Sequence, residues 1–319
     1  MAARRPAHSL SFLLLVLFVM VRGPVPAAAQ SGPDAGEGTA PLYDESADGQ
    51  VLIQRALERA ARENKRVLIQ WGANWCGWCR SLHELMSSDG EIARKILYEY
   101  EVVLIDVGHF DKHLDLAGRY RARFRDYGVP YLTLLAADGT VLANQETSSL
   151  ETEGDSMGHD REKVLALLER HQAPYRDARQ ILSEALKEAE IQNKKVFLHS
   201  GAPWCGWCRR LEEWMLRDEI ASIMGKYFVD VKIDVDRTVG GKEVMDGYNG
   251  GYGGVPWLAM LEPDGTVIID SVAPNGRNIG SPQAMWEIGH FRTMLATAAP
   301  EMTGAEIEIL TVSLAEDRP

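Results

Sequence analysis

A six-residue phrase occurs twice in this chain and limits what the rest can fold into. It reads Trp75-Cys76-Gly77-Trp78-Cys79-Arg80, and again Trp204-Cys205-Gly206-Trp207-Cys208-Arg209. The two copies hold all four cysteines of the 319 residues. Cysteines with two residues between them can close a small, reversible disulfide. The tryptophan before each pair gives it an apolar neighbour. The remainder of the chain must then be scaffold that presents such a pair twice.

The order of segments around each copy supports a duplicated unit. Cys205 follows Cys76 by 129 positions, while Val255-Pro256 follows Val129-Pro130 by 126. Asp264-Gly265-Thr266-Val267 follows Asp138-Gly139-Thr140-Val141 by the same 126. A period of this size exceeds a solenoid repeat and equals one small domain. The length suits about two domains. Pro174 lies near the expected joint.

In the first copy, apolar spacing predicts a helix over 49–64 and a strand over 66–70. The cysteine phrase follows, with Leu82, Leu85 and Met86 marking one helix face. A helix over 89–98, a strand over 102–107 and a helix over 114–125 come next. Val129-Pro130 opens a strand over 131–136, Asp138-Gly139 turns it into a hairpin, and a helix over 160–171 closes the unit. The second copy restarts with a helix over 177–192 and a strand over 195–199. Its approach to Val255-Pro256 differs: residues 247–254 contain five glycines in eight positions. This composition predicts a loop, read as a shortened connection rather than a mobile lid. Arg119, Arg121, Arg123 and Arg125 would spread around a helix and form a solvated face.

The first residues belong to targeting rather than to fold. Arg4-Arg5, the apolar run Leu10–Val21 and Ala27-Ala28-Ala29 before Gln30 match a secretory signal peptide over 1–29. The apolar run is short for a membrane span. The expectation is an exported protein without a stable membrane anchor after cleavage, periplasmic in a Gram-negative bacterium and otherwise secreted. Residues 30–45, rich in Gly, Pro, Asp and Glu, read as a disordered leader. Domains are expected over 46–172 and 173–300, with a C-terminal tail over 301–319. A formal charge of −12 argues against nucleic acid as a partner.

The order strand, Cys-x-x-Cys helix, helix, strand, helix, Pro-started strand, hairpin, helix resembles the thioredoxin superfamily across both halves. Trp-Cys-Gly-x-Cys between strand and helix, and Val-Pro before a later strand, carry the likeness. The resemblance implies an α/β fold class: two tandem thioredoxin-like domains, each a central mixed sheet flanked by helices. It also implies cis prolines at Pro130 and Pro256 lying against the cysteine pairs. A cis proline there would leave the backbone of Val129 and Val255 free to bind a substrate strand. Trp78 and Trp207 would add apolar contact surface or pack on their own helices, with Trp71 and Trp257 in the core.

A cysteine at a helix N-terminus meets unsatisfied N–H groups and the positive end of the macrodipole, which favours its thiolate. Cys76 and Cys205 are therefore expected as nucleophiles, with Cys79 and Cys208 as resolving thiols. The expected activity is a protein disulfide oxidoreductase working on client cysteines, reset by a redox donor or acceptor protein. It would need no cofactor beyond its own dithiols. Static disulfides, a cross-domain zinc site, copper handling and a client-binding, chaperone-like module are the competing readings. Between the cysteines stands Gly-Trp, where ordinary thioredoxins have Gly-Pro.

Six positions before the first cysteine, where the family often buries an acidic residue, the copies carry Gln70 and His199. Gln70 cannot exchange protons. His199 can do acid–base chemistry near neutral pH, or can simply be a hydrogen-bonded structural histidine. Lys232, at a position where the family often has lysine, is matched by Leu104 in the first copy. The second pair, Cys205 and Cys208, is thus expected to be the better exchanger at neutral pH.

Overall fold

The computed structural model describes residues 40–154 and 157–316. The expected signal peptide and most of the expected leader lie outside the described residues.

The first half begins with helix α1 (Gly49–Glu63). Asp48 caps it, its carboxylate accepting the N–H groups of Gln50 and Val51, and Asn64 closes it in the left-handed region at φ 53°. Strand β1 (Arg66–Gly72) follows. Next come α2 (Gly77–Ser88), α3 (Gly90–Glu99), β2 (Tyr100–Asp106), α4 (Leu114–Tyr120) and α5 (Phe124–Tyr127). Strands β3 (Tyr131–Leu135) and β4 (Val141–Glu146) and helix α6 (Arg161–His171) complete the unit. The sheet order is β2-β1-β3-β4, with β1 and β2 parallel and the other pairs antiparallel.

Strand β1 reads as a continuous apolar run because both its faces are covered. Val67, Ile69 and Trp71 pack with Ile53, Ala56 and Ala60 of α1 and with Phe124. Leu68 packs on the other face with Leu82, Met86, Ile92 and Val164.

The second half repeats the plan. Its elements are α7 (Ala178–Gln192), β5 (Lys195–Gly201), α8 (Gly206–Met215), α9 (Asp218–Tyr227), β6 (Phe228–Asp234) and α10 (Gly241–Asn249). Then follow β7 (Leu258–Leu261), β8 (Val267–Asp270), α11 (Met285–Ala298) and α12 (Gly304–Glu316). The sheet order β6-β5-β7-β8 matches the first, again with one parallel pair. Both halves are α/β units with a four-stranded mixed sheet flanked by helices.

Four segments differ from the sequence reading. The helix expected over 114–125 breaks at Arg121, which adopts φ 57° and closes α4. The glycine-rich stretch is not wholly loop: α10 runs through Gly247 to Asn249, and only the glycines from Gly250 onward are irregular. Residues 301–319, set apart as a tail, supply α12, whose Ile307, Leu310 and Leu314 join the main core of the second half. Residues 41–45, assigned by composition to a disordered leader, are docked on the first half with Tyr43 1% exposed.

Side chains also join the halves. The guanidinium of Arg237, after β6, pairs with Glu99 of α3 and donates to the carbonyls of Glu63 and Asn64 at 2.7 and 2.9 Å. Asp236 accepts from the Tyr98 hydroxyl of the first half and from Trp204 Nε1, each at 2.8 Å. Trp204 immediately precedes Cys205, so this junction reaches the second cysteine pair.

Candidate functional site

Each cysteine phrase occupies the turn between a central strand and a helix. Cys76 is the N-cap of α2 and Cys205 the N-cap of α8, both with extended backbone. The Cys79 N–H points at Cys76 Sγ at 3.0 Å, and the Cys208 N–H at Cys205 Sγ at 3.1 Å. The first sulfur of each pair therefore takes the place of the side-chain oxygen in an ordinary cap. It meets the donor and the dipole that stabilise a thiolate once the pair is reduced.

Both pairs are closed disulfides, with Cα atoms 5.3 Å apart in each. All four cysteines are buried, Cys76 at 5% exposure against 0% for Cys79, and Cys205 at 4% against 3% for Cys208. Exposure thus barely separates nucleophile from resolving thiol; the cap position does.

The Val129–Pro130 and Val255–Pro256 peptide bonds are both cis. The carbonyl oxygen of Val129 lies 3.5 Å from Cys76 Sγ, and that of Val255 lies 3.7 Å from Cys205 Sγ. The structure therefore brings together Cys76, Cys79, Val129 and Pro130 in one site, and Cys205, Cys208, Val255 and Pro256 in the other. The tryptophans inside the phrases part company. Trp78 is half-buried, edge-on to His159 with ring centroids 5.6 Å apart. Trp207 is 52% exposed, with the Arg210 guanidinium over its ring. Trp71 and Trp257 are fully buried in the cores.

Behind the cysteines the sites diverge. Gln70 is fully buried; its Nε2 donates to the Tyr43 hydroxyl at 2.7 Å and to the Cys79 carbonyl at 3.0 Å. His199 is buried against Phe197. Its Nε2 is 3.1 Å from Asp230 Oδ1 but is not aligned for a hydrogen bond. Among the described residues His199 makes no hydrogen bond to either cysteine of its site. Pairing across the sheet places Lys232 beside His199 and Leu104 beside Gln70, as the sequence comparison requires.

Two neighbours of the cysteine pairs were not found from sequence. Glu212 lies one helical turn beyond Cys208 on α8, and its Oε1 is 2.6 Å from Lys232 Nζ. A Cβ on Gly201 would lie 3.1 Å from Lys232 Cε, 3.5 Å from Cys208 Cβ and 3.6 Å from Glu212 Oε1, so these groups converge there. The i, i+4 spacing from Cys208 is the signal that could have revealed Glu212. Its counterpart on α2 is His83, whose pKa burial pushes down and whose buried Nδ1 has no hydrogen-bond partner among the described residues. Tyr43 is the second. It clusters with Cys76 and Cys79, and burial pushes its phenol pKa well up.

This fold and these paired disulfides define a thioredoxin-like protein, and comparison with known proteins agrees. Residues 51–137 match a family model described as thioredoxin-like. Residues 161–301 match the Thioredox_DsbH model, described as a protein of unknown function, DUF255. The two matches fall one on each half, and each half has the same mixed-sheet order, so the chain carries two thioredoxin-like units.

Among curated proteins, it is 27% identical over 169 residues to a protein disulfide-isomerase of Schizosaccharomyces pombe, covering 52% of this chain and 44% of that protein. The chain thus spans less than half the length of that relative. Among solved structures, it is similar to a disulphide isomerase from Xylella fastidiosa Temecula1, at 27% identity and TM-score 0.35, covering 40% of this chain and 95% of that one. It is also similar to a thioredoxin from Thermus thermophilus, at 18% identity and TM-score 0.28, covering 37% of this chain and 81% of that one.

Proposed function

We propose that the chain is an exported thiol–disulfide oxidoreductase that exchanges disulfides with cysteines of client proteins. The observation that carries this reading is the N–H of Cys79 and of Cys208 aimed at the sulfur of Cys76 and of Cys205, each beside a cis Val-Pro carbonyl. The name of the Schizosaccharomyces pombe relative agrees with it.

In the reducing direction, the Cys76 or Cys205 thiolate attacks a client disulfide. The client S–S bond breaks, a mixed disulfide forms and one client sulfur leaves as thiolate. Cys79 or Cys208, after losing its proton to solvent, then attacks the first cysteine. The mixed disulfide breaks, the second client thiolate leaves, and two electrons have passed to the client. The oxidising direction is the reverse. A donor or acceptor protein resets the pair, and the dithiols are the only redox centre the reaction needs. The backbone of Val129 and Val255, next to Pro130 and Pro256, offers the client chain a strand edge, and exposed Trp207 adds apolar contact at the second site. The signal-like sequence of residues 1–29 supports export, to the periplasm in a Gram-negative bacterium and otherwise to the exterior.

The test is covalent capture. Purified protein should catalyse reduction of insulin disulfides by dithiothreitol. Cys79→Ala and Cys208→Ala should accumulate mixed disulfides that dithiothreitol releases. Absence of both catalysis and captured species would overturn the reading.

A further inference from the structure

The geometry points to Tyr43 as the hydrogen-bond donor that stabilises the Cys79 thiolate during resolution at the first site. This inference rests on the exchange reading above and concerns a residue outside the span 51–137 that matches the thioredoxin-like family.

Tyr43 is 1% exposed and packs in one cluster with both cysteines of the first pair. Its position is built rather than incidental. Asn74, two residues before Cys76, accepts the N–H groups of Leu42 and Tyr43 at 2.8 and 2.9 Å. The Asn74 amide nitrogen in turn donates to the Tyr43 carbonyl at 2.9 Å and to Glu45 at 2.8 Å. The loop that presents the disulfide therefore also bolts down the segment carrying the tyrosine.

The hydroxyl approaches across Gly72. A Cβ on that residue would lie 2.2 Å from Tyr43 Oη and 2.7 Å from Cys79 Sγ, so oxygen and sulfur are less than about 5 Å apart. The oxygen already accepts from Gln70 Nε2. Its own proton has no hydrogen-bond acceptor among the described residues while the disulfide is closed. When Cys76 holds a client, Cys79 becomes the sulfur that must ionise, and the phenol is the donor within reach. Burial keeps that phenol protonated well beyond neutral pH, so it donates and does not act as a base. The charged groups around it are Asp106, itself paired with Lys112, Arg80 of α2 and Glu45 of its own segment; His83 also lies on α2.

The step balances without Tyr43 changing its protonation. Cys79 gives its proton to solvent. Its thiolate attacks Cys76 Sγ, the Cys76–client bond breaks, the Cys76–Cys79 bond forms, and the client leaves as thiolate with the electron pair. Tyr43 lowers the cost of the first of these events. At the second site, Lys232, Glu212 and Cys208 surround the corresponding Gly201 position. The two sites thus stabilise their resolving sulfur by different means.

The test uses the full chain with Cys76→Ser, Cys205→Ser and Cys208→Ser, leaving Cys79 as the single thiol. Its ionisation is followed by ultraviolet thiolate absorbance from about pH 5 to 11, with the cysteine-free chain subtracted. Tyr43→Phe keeps the ring and removes the donor; it should raise the midpoint by about one pH unit, a tenfold loss of thiolate at neutral pH. An unchanged midpoint in folded protein overturns the inference. Should Tyr43→Phe fail to fold, Asn74→Ala, which releases the segment with the tyrosine intact, gives the same reading: a raised midpoint supports the inference and an unmoved one overturns it. Because this titration needs no turnover, failure of client capture with a Tyr43-dependent midpoint would remove the exchange reading and leave the hydrogen bond standing.

Discussion

Arg237 of the second half and Glu99 of the first form an ion pair of 2.8 Å in which the side chains are 5% and 1% exposed. Burial of both charges makes the pair costly to break, since the remaining charge is stranded away from water. Arg237→Ala should lower stability by about 3–5 kcal/mol. Replacing both together, as Arg237→Met with Glu99→Leu, should restore most of that loss. Urea unfolding curves of the three variants check it. Equal losses in the single and double variants would show that the charges themselves are not what holds the junction.

The last helix carries a second electrostatic device. Lys226, then Thr303 and Tyr227, hold the Glu306 carboxyl at about 2 against an ordinary 4.5. Folding therefore favours the ionised form. Its contribution is complete above about pH 4.5 and is lost as pH falls toward 2. Trp214 reports on this helix, because its Nε1 donates to Ser313 of α12 at 2.9 Å. Trp214 fluorescence should change across that window in the wild type, and Glu306→Gln should abolish the acid limb. A limb that persists in the variant would assign it to another carboxyl.

Local patterns were legible and distant meetings were not. The Cys-Gly-Trp-Cys phrase after a strand announced a helix cap. That rests on neighbours within a few residues, whereas the place of Val-Pro against the sulfurs, 53 positions away at the first site, came from the resemblance. Lys232 was singled out by the resemblance alone, and the strand pairing then sets it beside His199. Tyr43 was hidden because its partner Gln70 is 27 positions away and its surroundings have the composition of a leader. Arg237 and Glu99 are 138 apart, and nothing local marks either as a partner. Helix α12 was missed for another reason: it lies beyond the last matched position of the repeat. Its buried Ile307, Leu310 and Leu314 nevertheless have helical spacing.

Gly72 and Gly201 occupy equivalent strand ends but tolerate change unequally. Gly72→Ala drives a methyl into the Tyr43 hydroxyl and Cys79 Sγ, and at Gly201 the nearest atom is the flexible Lys232 Cε at 3.1 Å. Gly72→Ala should cost about 1–3 kcal/mol, the range for overpacking, and should undock residues 41–45. Gly201→Ala should cost less. Thermal unfolding, with hydrogen exchange at Leu42 and Tyr43 amides, separates them. Similar losses with those amides still protected would mean that Tyr43 accommodates the methyl.

His199 and His83 lie on different elements of the two sites, and this predicts different responses to their replacement. His199 lies on β5, and a cavity of about 370 Å³ bounded by Arg62, Glu184, Asp230, Glu212 and Lys232 reaches it. His83 lies on α2, and burial keeps its imidazole neutral to lower pH than usual. With the first pair replaced by serine, His199→Asn should change the rate of exchange at Cys205. With the second pair replaced, His199→Asn should have no effect. His83→Asn should alter only the acid side of the profile, because at neutral pH the His83 ring carries no charge to remove. Stopped-flow exchange with oxidised glutathione supplies both profiles. If the Cys205 rate survives His199→Asn unchanged, His199 is a packing residue against Phe197.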